Sequence, residues 1–138
     1  MNSIFNFFIP RAQVEYVESG DTLRQAIEKM EHHSYAAIPI VDSDDCFVGV
    51  LTEGDILWYL KKLGIPDLKS TDRINVLSVP RHSQIKSVSA FEPLENVIDL
   101  SLDQNFVPLS DDRGKFIGIV TRKKIITYLS EFYKKNKK

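Results

Sequence analysis

Residues 49–57 read GVLTEGDIL and residues 118–126 read GIVTRKKII, so a Gly, a Thr three residues later and an apolar pair recur 69 positions apart. Upstream, VEYVESGDTLRQAIEKM (14–30) aligns with IKSVSAFEPLENVIDLS (85–101) at an offset of 71, with Leu23 on Leu94 and Ile27 on Ile98. An internal repeat constrains the fold more tightly than composition does. Each copy must form the same supersecondary unit, and neither copy is large enough to bury its apolar faces alone.

Periodicity assigns the elements. Leu23, Ala26, Ile27 and Met30 fall at i, i+3, i+4 and i+7, the stripe of an amphipathic helix, and Leu94, Val97, Ile98 and Ser101 repeat it less perfectly. Pro93 suits a first helical position. The runs AAIPIVD and NFVPLSD follow, with Pro39 and Pro108 again 69 apart, and a proline there predicts an edge or irregular strand. Asp-rich turns, DSDDC and SDDRG, lead into FVGVL and FIGIV, buried-strand runs whose internal Gly marks a close approach of another backbone or a ligand. Each copy closes with a helix, DILWYLKKLG ending at Gly64 as a C-terminal cap and KKIITYLSEFYKK running into the tail. The prediction is therefore an α/β (α+β) fold of two βαββα copies packed about a pseudo-two-fold axis. The first copy spans 1–64 with its N-terminal segment, 65–78 connect, and 79–138 form the second copy with a basic tail. That packing places the strand-to-helix turns at Thr52 and Thr121 in equivalent positions beside a shared cleft, where a ligand is expected.

Composition narrows the function. The N-terminal MNSIFNFFIP is apolar, yet too short to span a bilayer and without a basic n-region or small-residue cleavage site, so it is expected to pack on the fold. The single cysteine, Cys46, forms no internal disulfide, sits beside Asp44 and Asp45 that discourage a thiolate, and fits a reducing cytoplasm. The net charge of −1 hides an asymmetry: residues 1–69 carry 6 Lys/Arg against 11 Asp/Glu, and residues 70–138 carry 12 against 8. The tail KKNKK supplies four of those positive charges, so neither DNA binding nor a membrane partner is expected. His32 and His33 are adjacent on a helix and point apart, His82 is alone, and no metal site is predicted. No Ser-His-Asp, paired-carboxylate or phosphate-loop pattern is present, so no catalytic residue is assigned.

The order helix, apolar-Pro-apolar strand, Asp turn, then Gly-apolar-apolar-Thr-x-x-Asp-apolar, present twice, resembles a tandem pair of CBS (cystathionine β-synthase) domains, the Bateman module. The resemblance covers roughly residues 8–64 and 79–133 and would make this a stand-alone pair with no attached enzyme, channel or transporter. It implies a cleft for adenosine-containing ligands, in which the Thr contacts phosphate, the Asp holds the ribose hydroxyls and the opposing copy supplies a wall for adenine. Thr52 and Asp55 match one site, its wall coming from Ile85, Lys86 and Phe106. In the other, Thr121 matches but Lys124 stands where the Asp belongs, which removes the usual ribose contact; its wall would be Val14, Glu15, Tyr35 and Ala37.

Thr52 and Asp55 also form a capping-box pattern, a Thr oxygen accepting from the third helical amide while the acid reaches back, and the two roles can coexist. Arg122, Lys123 and Lys124 are harder to derive from helix stability. They occupy a first turn, where the helix dipole disfavours each cation by ~0.3–1 kcal/mol. Free amides there bind phosphate, and added Arg or Lys strengthens such a site. Arg122 and Lys124 are the preferred phosphate ligands, with Arg81 as a helper; the structural alternative sends these side chains to solvent or to acids of the first copy. Trp58 and Tyr59 read as core or dimer contacts.

The expected function is a non-catalytic regulatory module that senses an adenine nucleotide (AMP, ADP, ATP or c-di-AMP), with no required cofactor, and passes the signal to a downstream protein. By resemblance it would be a homodimer. The alternative is a ligand-independent homodimerisation or adaptor module working through the apolar faces of the two terminal helices.

Overall fold

The computed structural model describes residues 4–137; residues 1–3 of the N-terminal segment and residue 138 of the basic tail lie outside the described residues. The elements run β1 (Phe8–Pro10), β2 (Val17–Glu18), α1 (Leu23–His33), β3 (Ala37–Val41), β4 (Phe47–Thr52), α2 (Glu53–Leu63), β5 (Val88–Ser89), α3 (Leu94–Leu100), β6 (Phe106–Ser110), β7 (Phe116–Thr121) and α4 (Arg122–Lys135). From β2 to α2 and from β5 to α4 the order is the βαββα of the sequence pattern. The chain divides into two compact units, one of residues 15–86 and one of residues 1–14 with 87–138.

In the unit of residues 15–86 the sheet order is β2-β3-β4, with β2 parallel and β4 antiparallel to β3. Thr22 opens α1 with a reciprocal capping box to Gln25, and the helix presents Leu23, Ala26 and Met30 to the core. Those residues pack with Val17, Ile38, Ile40, Leu51 and Ile56. Each fully buried Ile, Leu or Val contributes about 1.5–3 kcal/mol relative to exposure. Gly64 ends α2 at φ 67°, ψ 32°, the left-handed cap its position in the sequence called for.

In the other unit the sheet order is β1-β7-β6-β5, and the core gathers Ile4, Phe7, Val97, Val107, Leu109, Val120 and Ile125. The Asp-rich turns of the two units have one mechanism. Asp42 Oδ1 accepts from the amides of Asp44 and Cys46, and Asp111 Oδ1 accepts from those of Arg113 and Lys115.

Four local expectations are corrected. Pro39 and Pro108 lie on β3 and β6, which are interior strands rather than edges, while the irregularity that the other alternative named is present as register shifts between Ile40 and Val41 and between Leu109 and Ser110. Proline is tolerated because the parallel partners are only two residues long and pair from Ile40 and Leu109 onward, one position beyond each proline. Pro93 is the residue before α3 rather than its first. The N-terminal segment, grouped by sequence with the first copy, pairs instead with β7, Phe8 opposite Val120 and Pro10 opposite Gly118. Val79, placed by sequence at the start of the second copy, packs instead beside Val76 of the connector in the first copy's core, both buried.

Candidate functional site

Where β4 hands over to α2, Thr52 is extended and its hydroxyl accepts from the Asp55 amide at 3.0 Å, while the Thr52 amide donates to Asp55 Oδ2 at 3.1 Å. The capping box is therefore complete. The Asp55 residue is 3% exposed, and its other oxygen is engaged as well. The His82 main-chain N–H donates to Oδ1 at 3.0 Å, and His82 Nδ1 lies 2.7 Å from the same atom. Burial pulls the Asp55 carboxyl upward, but hydrogen bonds from the His82 imidazole, the His82 amide and Thr52 together outweigh it and hold its pKa below the usual carboxylate value. Arg81, next to His82, lies across Gly49, its Nε 3.0 Å from where a Cβ on that glycine would be. That arginine, chosen as a helper for the Lys124 site, is instead grouped with the first repeat, because the chain through residue 86 belongs to that repeat's compact unit.

Where β7 hands over to α4, Thr121 accepts from the Lys124 amide at 3.2 Å, and with Lys in place of Asp there is no reciprocal bond. Arg122, a preferred phosphate ligand by sequence, turns the other way. Its Nε donates to the Ser101 carbonyl at 2.7 Å and its Nη2 to that of Leu102 at 3.4 Å, which caps the C-terminal end of α3. The cations left at the helix start are Lys123 and Lys124. Both border an open groove of about 690 Å³, together with Thr121, Tyr128 and, from the N-terminal segment, Phe7 and Ile9. Among the described residues no acid within ion-pair distance holds either ammonium. The groove thus sets two lysines and a Thr-capped helix N-terminus beside an apolar and aromatic wall.

The remaining sequence-chosen residues fall as follows. Ala37 stands opposite Thr52 and Phe106 opposite Thr121 in the strand register, so each lies beside the threonine of its own repeat. The Glu15 carboxylate is ion-paired with Lys29 at 3.4 Å and lies 3.1 Å from His33 Nε2. Tyr35 packs half-buried against the first core with its ring against that of His33. Val14 is buried beside the N-terminal segment, Ile85 is half-buried, and Lys86 is exposed. Phe7, Ile9 and Tyr128 were not singled out from sequence, His82 was read only as a lone histidine, and Lys123 was named in the basic run without being a preferred ligand. Lys123 had a signal, its place in the first turn; the others depend on contacts distant along the chain.

The family profile of the CBS domain matches residues 8–62 and 76–131. Protein MK0525 of Methanopyrus kandleri is 28% identical over 116 residues, covering 80% of this chain, which in turn spans 56% of that protein's length. Cyclic di-AMP receptor B of Bacillus subtilis is 23% identical over 129 residues, 94% of this chain and 87% of the receptor. The crystal structure of Listeria monocytogenes CbpB in complex with c-di-AMP superposes with a TM-score of 0.82 at 23% identity, over 95% of this chain and 97% of that one. At such identity the likeness establishes the fold.

Proposed function

Because the chain belongs to the CBS domain family and carries that domain twice, we propose that it is a non-catalytic regulatory module that binds an adenosine-containing nucleotide at its Thr-capped helix starts. The observation that carries this reading is the groove at the start of α4. A nucleotide is an anion joined to a flat apolar base, and the groove offers Thr121, Lys123 and Lys124 for phosphate next to Phe7, Ile9 and Tyr128 for the base. The names of the Bacillus receptor and the Listeria complex, both c-di-AMP proteins, support the same ligand class. AMP, ADP, ATP and c-di-AMP are the candidates.

In this reading Thr52 and Asp55 serve the second ligand position, with Asp55 receiving ribose hydroxyls. Ile85 and Lys86 are the proposed base wall of that position. Arg122 supports the site by fixing the end of α3 rather than by touching phosphate. The setting is cytoplasmic, and a downstream protein receives the signal. A homodimer is part of the proposal, supported by apolar side chains exposed on α2 (Leu57, Trp58) and α4 (Ile126, Leu129, Phe132). The same exposed faces favour the alternative of a ligand-independent dimerisation or adaptor module.

Isothermal titration with the four nucleotides separates the two. Saturable binding that weakens in Lys124→Ala and in Asp55→Ala is the expected result. Absence of heat, with no shift in melting temperature for any of them, rejects sensing and leaves the adaptor reading.

A further inference from the structure

The hydrogen bonds around Asp55 leave its carboxylate nearly full. An ionised carboxylate has about four acceptor positions and no donor. The Thr52 amide takes one on Oδ2, and the His82 amide and Nδ1 take two on Oδ1. Because the carboxylate only accepts, Nδ1 carries the proton in this contact. A ribose with free 2′ and 3′ hydroxyls brings two donors, and a bidentate grip needs one open position on each oxygen. Oδ1 has none.

The two partners differ in what holds them. Asp55 is fixed at 3% exposure by the capping box, whereas the His82 side chain is 63% exposed and lies on an irregular stretch between Pro80 and β5. Removing the imidazole from the carboxylate uncovers little apolar surface, so in any exchange it is His82 that moves.

We propose that the His82 imidazole is a built-in ligand of Asp55, which a vicinal ribose diol must displace, so that nucleotide binding loosens the hold of α2 on the segment from Arg81 to Lys86. This rests on Asp55 being a ribose ligand, as proposed above. The segment leads into β5, and loosening it is a direct route by which an occupied site alters the chain beyond it. His82 accordingly sets affinity by competition, and selects against nucleotides whose diol is not worth the exchange.

The test is titration of wild-type, His82→Ala and Asp55→Ala protein with AMP, 2′,3′-dideoxy-AMP and c-di-AMP, followed by hydrogen exchange of residues 81–86 with and without saturating AMP. His82→Ala should bind AMP roughly two- to tenfold more tightly than wild type, the net worth of one displaced hydrogen bond. That gain should be absent for the dideoxy analogue, and exchange at 81–86 in the wild type should quicken when AMP is added. AMP binding that weakens in Asp55→Ala but is equal or weaker in His82→Ala, with 81–86 still protected, overturns the displacement and leaves the nucleotide reading intact. So does binding of c-di-AMP alone, since it has no free vicinal diol. No binding of any of the three to wild-type or His82→Ala protein removes both.

Discussion

Arg122 Nε donates to the Ser101 carbonyl across 2.7 Å, from the first residue of α4 to the residue that ends α3. A cation unfavourable to its own helix start is thereby placed at the negative end of another helix, where it satisfies carbonyls left open by the last turn. Among the described residues Lys123 and Lys124 make no such contact. The three basic residues are one run in sequence and two functions in space.

Stability should therefore separate them. Arg122→Ala is expected to lose about 1–2 kcal/mol in urea unfolding, the range for a partly buried hydrogen bond from a charged donor. Lys124→Ala should change stability by less than about 0.5 kcal/mol, as an exposed substitution that also relieves the helix dipole. Equal losses in the two variants would contradict the division of roles.

The equivalent glycines should respond unequally. A Cβ on Gly118, whose φ is +154°, would collide with the Ile9 carbonyl oxygen and reach the Phe8 ring at 2.6 Å. At Gly49 the obstacle is the mobile end of Arg81. Gly118→Ala should cost about 1–3 kcal/mol and loosen β1, seen as faster hydrogen exchange at Phe8 and Ile9, while Gly49→Ala should stay within about 1 kcal/mol. Retention of β1 protection in Gly118→Ala would show that the strand shifts without cost.

The Asp55 carboxyl gives stability a defined pH dependence. Its pKa in the folded chain lies below the unfolded value of about 3.9, so the native state favours the ionised form. The resulting stabilisation is fully present above about pH 4 and is lost as pH falls through the folded pKa. Unfolding free energies of wild type and Asp55→Asn, compared from pH 6 down to pH 2, should differ most at the upper end and converge at the lower. A gap independent of pH would mean that the asparagine loses packing rather than charge.

Two large side chains test assembly. Trp58 on α2 is 53% exposed and Phe132 on α4 is 55% exposed, and these are the faces on which the proposed homodimer would close. Trp58→Glu and Phe132→Glu should each shift light-scattering mass from dimer to monomer without lowering the melting temperature of the monomer by more than a few degrees. A wild-type monomer would assign those faces to a different protein.

Much of the candidate site could be read along the chain because its first layer is local. Thr52 with Asp55, and Thr121 with the amide of residue 124, are contacts across three residues, as is the turn that lets Gly64 end α2. Helix phase is less local. Arg122 and Lys123 are adjacent and point about 100° apart, so which one borders the groove depends on how α4 is rolled against β7, not on residue type. Arg122 was preferred from sequence as a cation in the first turn of α4, and its guanidinium found the α3 carbonyls instead.

The sequence by itself determined the duplicated βαββα plan, the threonine caps, the Asp turns and the sign change between Asp55 and Lys124, since periodicity and short-range hydrogen bonds specify all of these. Tertiary structure decided the pairings that join distant positions. Val120 received Phe8 as an edge partner, and Asp55 received His82 from 27 residues away. Open strand edges and buried carboxylates must be satisfied, but many residues along a chain can satisfy them. Only the folded arrangement brings one particular residue within reach.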